Sequence, residues 1–473
     1  MLFNGLDLTP YLKIKAISGR GISQTELAML EVPGMNGAHL QRKRRPPRPL
    51  EIEADIRANN PEELRIKMDE LNGILAVDEP VPIVFLDEPN ITYYGIPEST
   101  GENDEFPFMH QGQLTIICPD PYKYGPELTA DIPSDTVTLT NEGTADADPI
   151  FEMEVLAPVT FAMIQNQNNE YMMIGQPVDV DATVPFQRFE RIFNSSGSSL
   201  VGWTDATAVD GGSVAGTMET NGTRFQAADY GTGTSWHGPA IKTSLSEVLT
   251  DFRLETTIGF WNKQPDEVGR VEIYLLDVNG NQVAKVAMKD TQSGHALAVG
   301  EARAGEVNNG HFLIKEYGDS PGNWNNFFGV LRIQREGNQW YAYFAKVDQS
   351  TGKHHTRRTV TWSDNEGLYT RTVAQVVVHV ARHGTHTSGA MGVYSVEVFK
   401  INQESTGIPY IADAGDIITF DHQSEDLLIN GESRTDLKDF GGSYFKLQKG
   451  ENQLVTLPSG SFNTSIKYRE RYK

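Results

Sequence analysis

The stretch FRLETTIGFW, Phe252–Trp261, alternates apolar and polar side chains. Phe252, Leu254, Ile258 and Phe260 fall on one face of an extended chain, with Arg253, Glu255 and Trp261 on the other. A period of two marks a strand buried on one side only, and the parity keeps Trp261 out of the core. Seven more runs of strand character follow: Arg270–Asp277, Gln282–Met288, Asn326–Gln334, Gln339–Val347, Thr356–Trp362, Val373–Ala381 and Gly392–Ile401. Asn279-Gly280 between two of them predicts a type I′ hairpin turn, and Gly337-Asn338 marks a second hairpin. No long helical pattern interrupts the series, so residues 187–402 read as a jelly-roll β-sandwich. All six tryptophans of the chain (Trp203, Trp236, Trp261, Trp324, Trp340, Trp362) lie in this zone, as expected of a separate module.

The flanks on either side are incomplete alone. Residues 128–186 offer Thr136–Asn141, Ile150–Val155, Phe161–Gln165 and Tyr171–Ile174 as strands. Residues 403–473 offer Ile417–Asp421, Leu427–Ile429, Phe445–Leu447, Gln453–Leu457 and Ser465–Tyr472. Neither set closes a core, but together they make a second sandwich into which 187–402 is inserted. Such an insertion requires its two ends to lie close together on one surface loop.

Residues 1–127 differ from both, as an α+β zone. Asn60 is a good N-cap, Pro61 suits the first helical position, and Glu62 and Glu63 favour the positive end of the helix dipole. Leu64, Met68, Leu71 and Leu75 then recur at helical spacing, which predicts a helix from Pro61 to Ala76. Leu50–Arg57, Pro82–Leu86, Thr92–Ile96 and Gln113–Cys118 read as strands around it.

Bulk composition narrows the function. Lys and Arg total 40 against 63 for Asp and Glu, a formal charge of -23. Such a surface repels phosphates, so neither sequence-specific nucleic acid nor a membrane is an expected partner. The acidity serves solubility, or it lines a channel through which a polyanion slides. Cys118 is the single cysteine, which excludes an internal disulfide and a Cys-rich zinc site. The opening MLFNGLDLTP has neither the basic nor the apolar region of a secretion signal, so synthesis and assembly in a cytoplasm are expected.

Several motifs in the outer parts resemble the distal tail protein (Dit) family of long-tailed phages that infect Gram-positive bacteria. They are Phe3-Asn4-Gly5, Asn59-Asn60-Pro61-Glu62-Glu63-Leu64, Cys118-Pro119-Asp120-Pro121-Tyr122 and Thr140-Asn141-Glu142-Gly143-Thr144-Ala145, then Gly415-Asp416-Ile417-Ile418-Thr419-Phe420-Asp421, Leu447-Gln448-Lys449-Gly450-Glu451-Asn452 and Tyr468-Arg469-Glu470-Arg471-Tyr472. Their order and spacing carry the likeness. It implies a belt domain at 1–127 that forms a homohexameric ring, and a galectin-like β-sandwich built from 128–186 and 403–473. The ring would join the tail tube protein to the tail-fibre or tail-lysin protein at the tail tip of the virion. Longer members of the family are similar in carrying an inserted carbohydrate-binding module. Trp324-Asn325-Asn326-Phe327-Phe328-Gly329 with Arg332-Ile333-Gln334-Arg335-Glu336-Gly337 resembles the central strands of concanavalin-like sandwiches. The implied role is adsorption to host cell-wall polysaccharide. A glycan-binding adhesin and a polysaccharide hydrolase are the competing readings.

Candidate sugar contacts are aromatic, because an exposed ring can stack on the apolar face of a sugar while polar neighbours fix its hydroxyls. Trp236 and His237 sit in a Gly-rich loop, Trp261 points out of its strand, and Trp324 opens a strand and could serve either core or ligand. Arg42, Arg44, Arg45 and Arg48 form the basic cluster of the chain, read as a solvated loop or as a contact between ring subunits. No cofactor, metal or catalytic residue is expected. His379, His383 and His386 lack a carboxylate partner. Asp277, Asn279 and Asn281 have Gln282 where a calcium loop needs Gly, and Met288 where it needs Glu. Sugar hydrolysis needs two carboxylates facing one cleft, and in the nearest motif, Trp362-Ser363-Asp364-Asn365-Glu366, a Trp takes the first carboxylate's place.

Overall fold

The computed structural model describes residues 1–100, 105–178, 184–403 and 407–473. Among these residues it is mostly β, with three large hydrophobic cores and one small cluster besides. The first core holds Phe3, Leu50, Ile52, Leu71, Ile83, Phe85, Tyr93 and Ile116. Around it a sheet orders its strands as Leu6–Asp7, Leu2–Phe3, Val81–Val84, Tyr93–Thr100, Met109–Cys118, Arg48–Arg57 and Lys13–Ser18. One helix, Pro61–Leu75, packs on it. Asn60 caps that helix, its side chain accepting from the Glu63 amide at 2.8 Å, while the Glu63 carboxylate reaches back to the Asn59 amide at 2.9 Å. Two orphan amides are thereby satisfied.

A hairpin of Glu26–Leu30 and His39–Arg44 stands off this sheet as a separate two-stranded ribbon. Arg42 and Arg44 therefore lie on a strand, not in a loop. Leu27, Met29 and Leu40 on the ribbon are 52%, 52% and 56% exposed, too apolar a surface for a finished exterior.

The second core draws on both flanks of the insert. One sheet orders Lys123–Ile132, Phe462–Tyr472, Ile150–Val155, Ile417–Asp421, Asp426–Ile429 and Glu432–Ser433. The facing sheet orders Thr136–Asn141, Gly450–Leu457, Phe161–Asn166 and Tyr171–Gly175. Each sheet mixes strands from before and after the insert, and Phe151, Ile164, Phe420 and Ile466 fill the space between them. Lys123–Ile132 pairs with the last strand, so the chain enters this sandwich at 123, before position 128. Phe445–Leu447 is not a strand, because the Phe445 amide and carbonyl both lie against Nδ1 of buried His422, at 2.8 and 2.7 Å.

The insert is the third core. Its front sheet orders Thr217–Thr220, Phe225–Asp229, Met391–Ile401, Phe252–Phe260, Phe327–Glu336, Gln339–Val347 and His354–Ser363. Its back sheet orders Thr204–Asp205, Ala240–Leu249, Val373–His383, Gly269–Leu276, Gln282–Asp290, Val299–Ala304 and His311–Glu316. The chain enters and leaves through Pro185–Phe186 and Ile408–Pro409, which pair side by side in parallel. The Asn279-Gly280 turn is not type I′. Gly280 has φ +83 while Asn279 stays out of the positive region, and Asp277, accepting from the amides of Asn279 and Asn281, holds a wider turn with a bulge.

Candidate functional site

Among the candidate sugar contacts, Trp261 and Trp236 both reach the surface, and Trp261 has the fuller aromatic setting. It follows the Phe252–Phe260 strand on the outer face of the front sheet and is half-buried. Its indole lies across Gly259, where a Cβ would sit 2.3 Å from the ring; only glycine leaves room for it there. Phe328 lies 6.4 Å away at an interplanar angle of 25°, and Tyr394 meets Phe328 edge-on at 5.2 Å. The Arg224 guanidinium stands 5.5 Å from the Trp261 ring and donates to the Tyr394 hydroxyl at 3.0 Å. The result is an aromatic platform edged by hydrogen-bonding groups. Phe328, Tyr394 and Arg224 were not picked out by sequence reading, although Phe328 and Tyr394 share the outward parity of their strands.

Trp236 belongs to a short strand, Trp236–Gly238, beside His383 of the back sheet. It is half-buried, with Arg270 4.8 Å from its ring. His237 does not join it as a surface contact: the side chain is buried and its Nδ1 lies 2.8 Å from the Ser235 carbonyl. Trp324 is wholly core, with 0% exposure. It packs on Phe327 and Phe344 over Gly300 and donates its indole N–H to the Thr356 carbonyl at 3.1 Å. Both residues leave the candidate site, because a buried ring cannot reach a ligand.

In the basic cluster the four arginines separate. Arg42 and Arg44 are exposed on the ribbon, Arg44 paired with Glu26. Arg45 leans towards the Tyr122 ring at 5.8 Å. Arg48 is buried, donating to the carbonyls of Pro121 at 2.8 Å and Gly19 at 3.1 Å. Committed to its own fold, Arg48 is not an interface residue.

The back sheet carries a feature that sequence reading missed. Glu272, Lys285, Glu301 and Arg303 meet Asp210 beneath the segment around residues 206–214, whose Ala206, Val209 and Val214 pack over the sheet. Lys285 Nζ lies 2.6 Å from Glu272 and 3.4 Å from Glu301. Burial alone would raise the Glu272 carboxyl, but Lys285 and Arg270 hold it well below the usual carboxylate range. His379 is buried here too, its Nδ1 2.9 Å from Glu272, which separates it from His383 and His386. Charged residues of like parity on three adjacent strands (Arg270 and Glu272, Lys285, Glu301 and Arg303) were the available signal. Paired and covered carboxylates of this kind are not poised for acid–base work on a polymer. Asp364 is likewise a turn residue, accepting from the amides of Leu368 and Tyr369 at 3.1 and 2.8 Å. Among the described residues no group of His, Cys, Asp and Glu is arranged to hold a metal ion.

Two family models match the chain: the phage tail protein RIFT-related domain over residues 6–118, and the siphovirus-type tail component, C-terminal domain, over 391–472. The distal tail protein of Bacillus phage SPP1 is 33% identical over 202 residues, spanning 42% of this chain and 75% of that protein. This chain belongs to the distal tail protein family. It is a structural component of a phage tail. Solved structures similar to this distal tail protein include SPP1 Dit, described as a paradigm of hub adsorption apparatus in Gram-positive infecting phages. That match has 28% identity and a TM-score of 0.35, covering 37% of this chain and 73% of that one. Another is the CBM2 module of the evolved Dit from Lactobacillus casei BL23 phage J-1, with 15% identity and a TM-score of 0.40, covering 46% of this chain and 98% of that module.

Proposed function

We propose that this protein is a tail-tip hub whose belt domain, 1–127, forms a homohexameric ring, that 128–186 and 403–473 make a galectin-like sandwich beside it, and that 187–402 binds host cell-wall saccharide during adsorption. The division is adjusted only in that the split sandwich starts at 123. The ring would sit between the tail tube protein above and the tail-fibre or tail-lysin protein below, after assembly in the host cytoplasm. The observation that carries the saccharide reading is the platform of Trp261, Phe328, Tyr394 and Arg224 on the insert's outer face. A half-buried indole at the sheet surface, with phenol and guanidinium donors beside it, suits a sugar ring better than an apolar ligand. The ring reading is supported by the apolar, basic ribbon 26–44, which leaves Met29 opposite Leu40 in water in a single subunit. Light scattering and electron microscopy of the purified chain, with pull-down on host cell walls, test both halves. A monomer at micromolar concentration would sink the ring, and walls that fail to retain the protein would sink adsorption through the insert.

A further inference from the structure

We propose that the cleft between the insert's front sheet and the split sandwich receives an anionic group of the bound saccharide, a phosphate or a carboxylate, with Arg253 as its ligand. The proposal rests on the saccharide reading above and names the chemical class of that saccharide. The cleft measures about 1110 Å³ and lies where the two bodies meet, walled by Phe189, Arg253, Gln334 and Tyr341 from the sheet, and by Asp413 and Arg434 from beyond it.

Three other arginines of the cleft have carboxylate partners, and a fourth, Arg357, stands exposed to solvent. Arg188 pairs with Glu336 at 2.9 Å, Arg434 with Asp436 at 3.0 Å, and Arg332 with both Glu255 and Glu432. Arg253 differs. Its Nε donates to Gln334 at 2.9 Å and its guanidinium lies 3.5 Å over the Phe189 ring. Among the described residues its two terminal nitrogens have no partner and it makes no ion pair. One edge is occupied by Gln334 and one face by Phe189, which leaves the two-nitrogen fork for a ligand. That fork matches the paired oxygens of a phosphate or carboxylate. Burial, with Arg332 adding to it, pulls the Arg253 pKa down to about 9, as expected of a cation short of a counterion. The cleft's own carboxylates are engaged elsewhere: Glu255 and Glu432 on Arg332, and Asp413 accepting from Gln187 at 2.9 and 2.8 Å.

Continuity with the platform supports one extended ligand. Arg253 and Trp261 share the outward face of one strand, with Thr257, itself a wall of the cleft, midway between them. At a strand's rise they are about 27 Å apart, the reach of a polymer rather than a single sugar.

The test uses the full chain and calorimetric titration at low salt with four probes: polyglycerol phosphate, polygalacturonate, neutral dextran and inorganic phosphate. At least one charged polymer should bind roughly tenfold or more tightly than dextran, and Arg253→Gln should remove that advantage while leaving dextran unchanged. Arg253→Lys, which keeps the charge without the fork, should retain part of it. The stronger charged polymer identifies the oxyanion; inorganic phosphate competing for the site would show that the free ion suffices. Equal binding of charged and neutral polymers, no binding of any polymer, or charged-polymer binding that survives Arg253→Gln would each overturn the proposal. Trp261→Ala separates the two readings. If it changes nothing while Arg253→Gln abolishes charged binding, the platform is wrong and the anion site stands.

Discussion

Arg332 on the insert's front sheet grips Glu432 of the split sandwich through two hydrogen bonds, of 3.0 and 2.7 Å. The pair lies at the junction of the two bodies with its guanidinium almost wholly buried. Bidentate geometry fixes orientation as well as distance, and stripping one partner from a buried pair leaves an uncompensated charge. Glu432→Gln should therefore weaken the seating of the insert by about 1–3 kcal/mol, less than the full penalty because Glu255 still holds Arg332. In calorimetry the unfolding of insert and sandwich should separate further. An unchanged profile would mean that the contact contributes nothing to docking.

The platform makes a second prediction through a residue that touches no ligand. Gly259→Ala places a methyl where the Trp261 ring now lies, 2.3 Å from its atoms. The indole must swing away, so saccharide affinity should fall to the same degree as in Trp261→Ala, roughly 1–3 kcal/mol. Because the half-buried Trp261 lies outside the hydrophobic core, its replacement by Ala should move the melting temperature only slightly. A large fall on Trp261→Ala would make the indole a packing element and remove it from the site.

These two sites show how far the sequence could be read. Strict alternation in 252–261 put Trp261 on the Arg253 face, and the capping pattern around Asn60 delimited the helix to within a residue of its end. What failed was long-range. Trp324 and His237 look alike in a local window, as aromatic groups in polar, Gly-rich surroundings, and only the tertiary partners Gly300, Phe344 and Ser235 bury them. Arg48 is hidden by carbonyls 29 and 73 residues away. The ribbon 26–44 was missed because it packs on no core, so no apolar face imposes a period on it. The Arg253 cleft needed both bodies in place.

The ribbon itself predicts an assembly phenotype. Its Arg44–Glu26 pair is exposed on both sides, so it contributes little to folding and leaves the guanidinium free to meet another subunit. Met29→Ser with Leu40→Ser, or Arg44→Glu with Arg45→Glu, should shift the proposed hexamer to smaller species while circular dichroism and melting stay near wild type. Light scattering at micromolar concentration measures this. A hexamer that persists in both variants would place the contact elsewhere.

Acid sensitivity should trace in part to His422. Burial pushes its imidazole down to about 4 from an ordinary 6.5. Between these values the unfolded chain takes up a proton that the folded chain refuses. Stability from this group is thus complete above pH 6.5 and is lost as pH falls towards 4. The loss should reach roughly 2–3 kcal/mol at pH 4.5, and His422→Gln should flatten that part of the slope. Urea midpoints of both proteins at pH 7 and 4.5 give the comparison. Equal slopes would mean that this imidazole is not kept neutral by the fold.

The last prediction removes the insert altogether. The Asn402 amide donates to the Arg188 carbonyl at 2.8 Å, just where Phe189 begins to pair with Ile401. Positions 188 and 402 are therefore neighbours in space, and a Gly-Ser turn can replace 189–401 at little loop-closure cost. The split sandwich keeps every strand of its two sheets, since none comes from the deleted residues. Glu432 loses Arg332 but gains water, so its charge is hydrated rather than stranded. All six tryptophans leave, together with the platform and Arg253. The shortened chain should still form a ring and should no longer adsorb to host walls. In the intact ring six inserts would act together, and weak single sites could gain about 10²–10⁴ in avidity, so the loss should be far larger than for any point variant. A shortened ring that adsorbs normally would place receptor binding outside the insert. An insoluble one would mean that the contacts around Arg332 and Glu432 belong to a shared core.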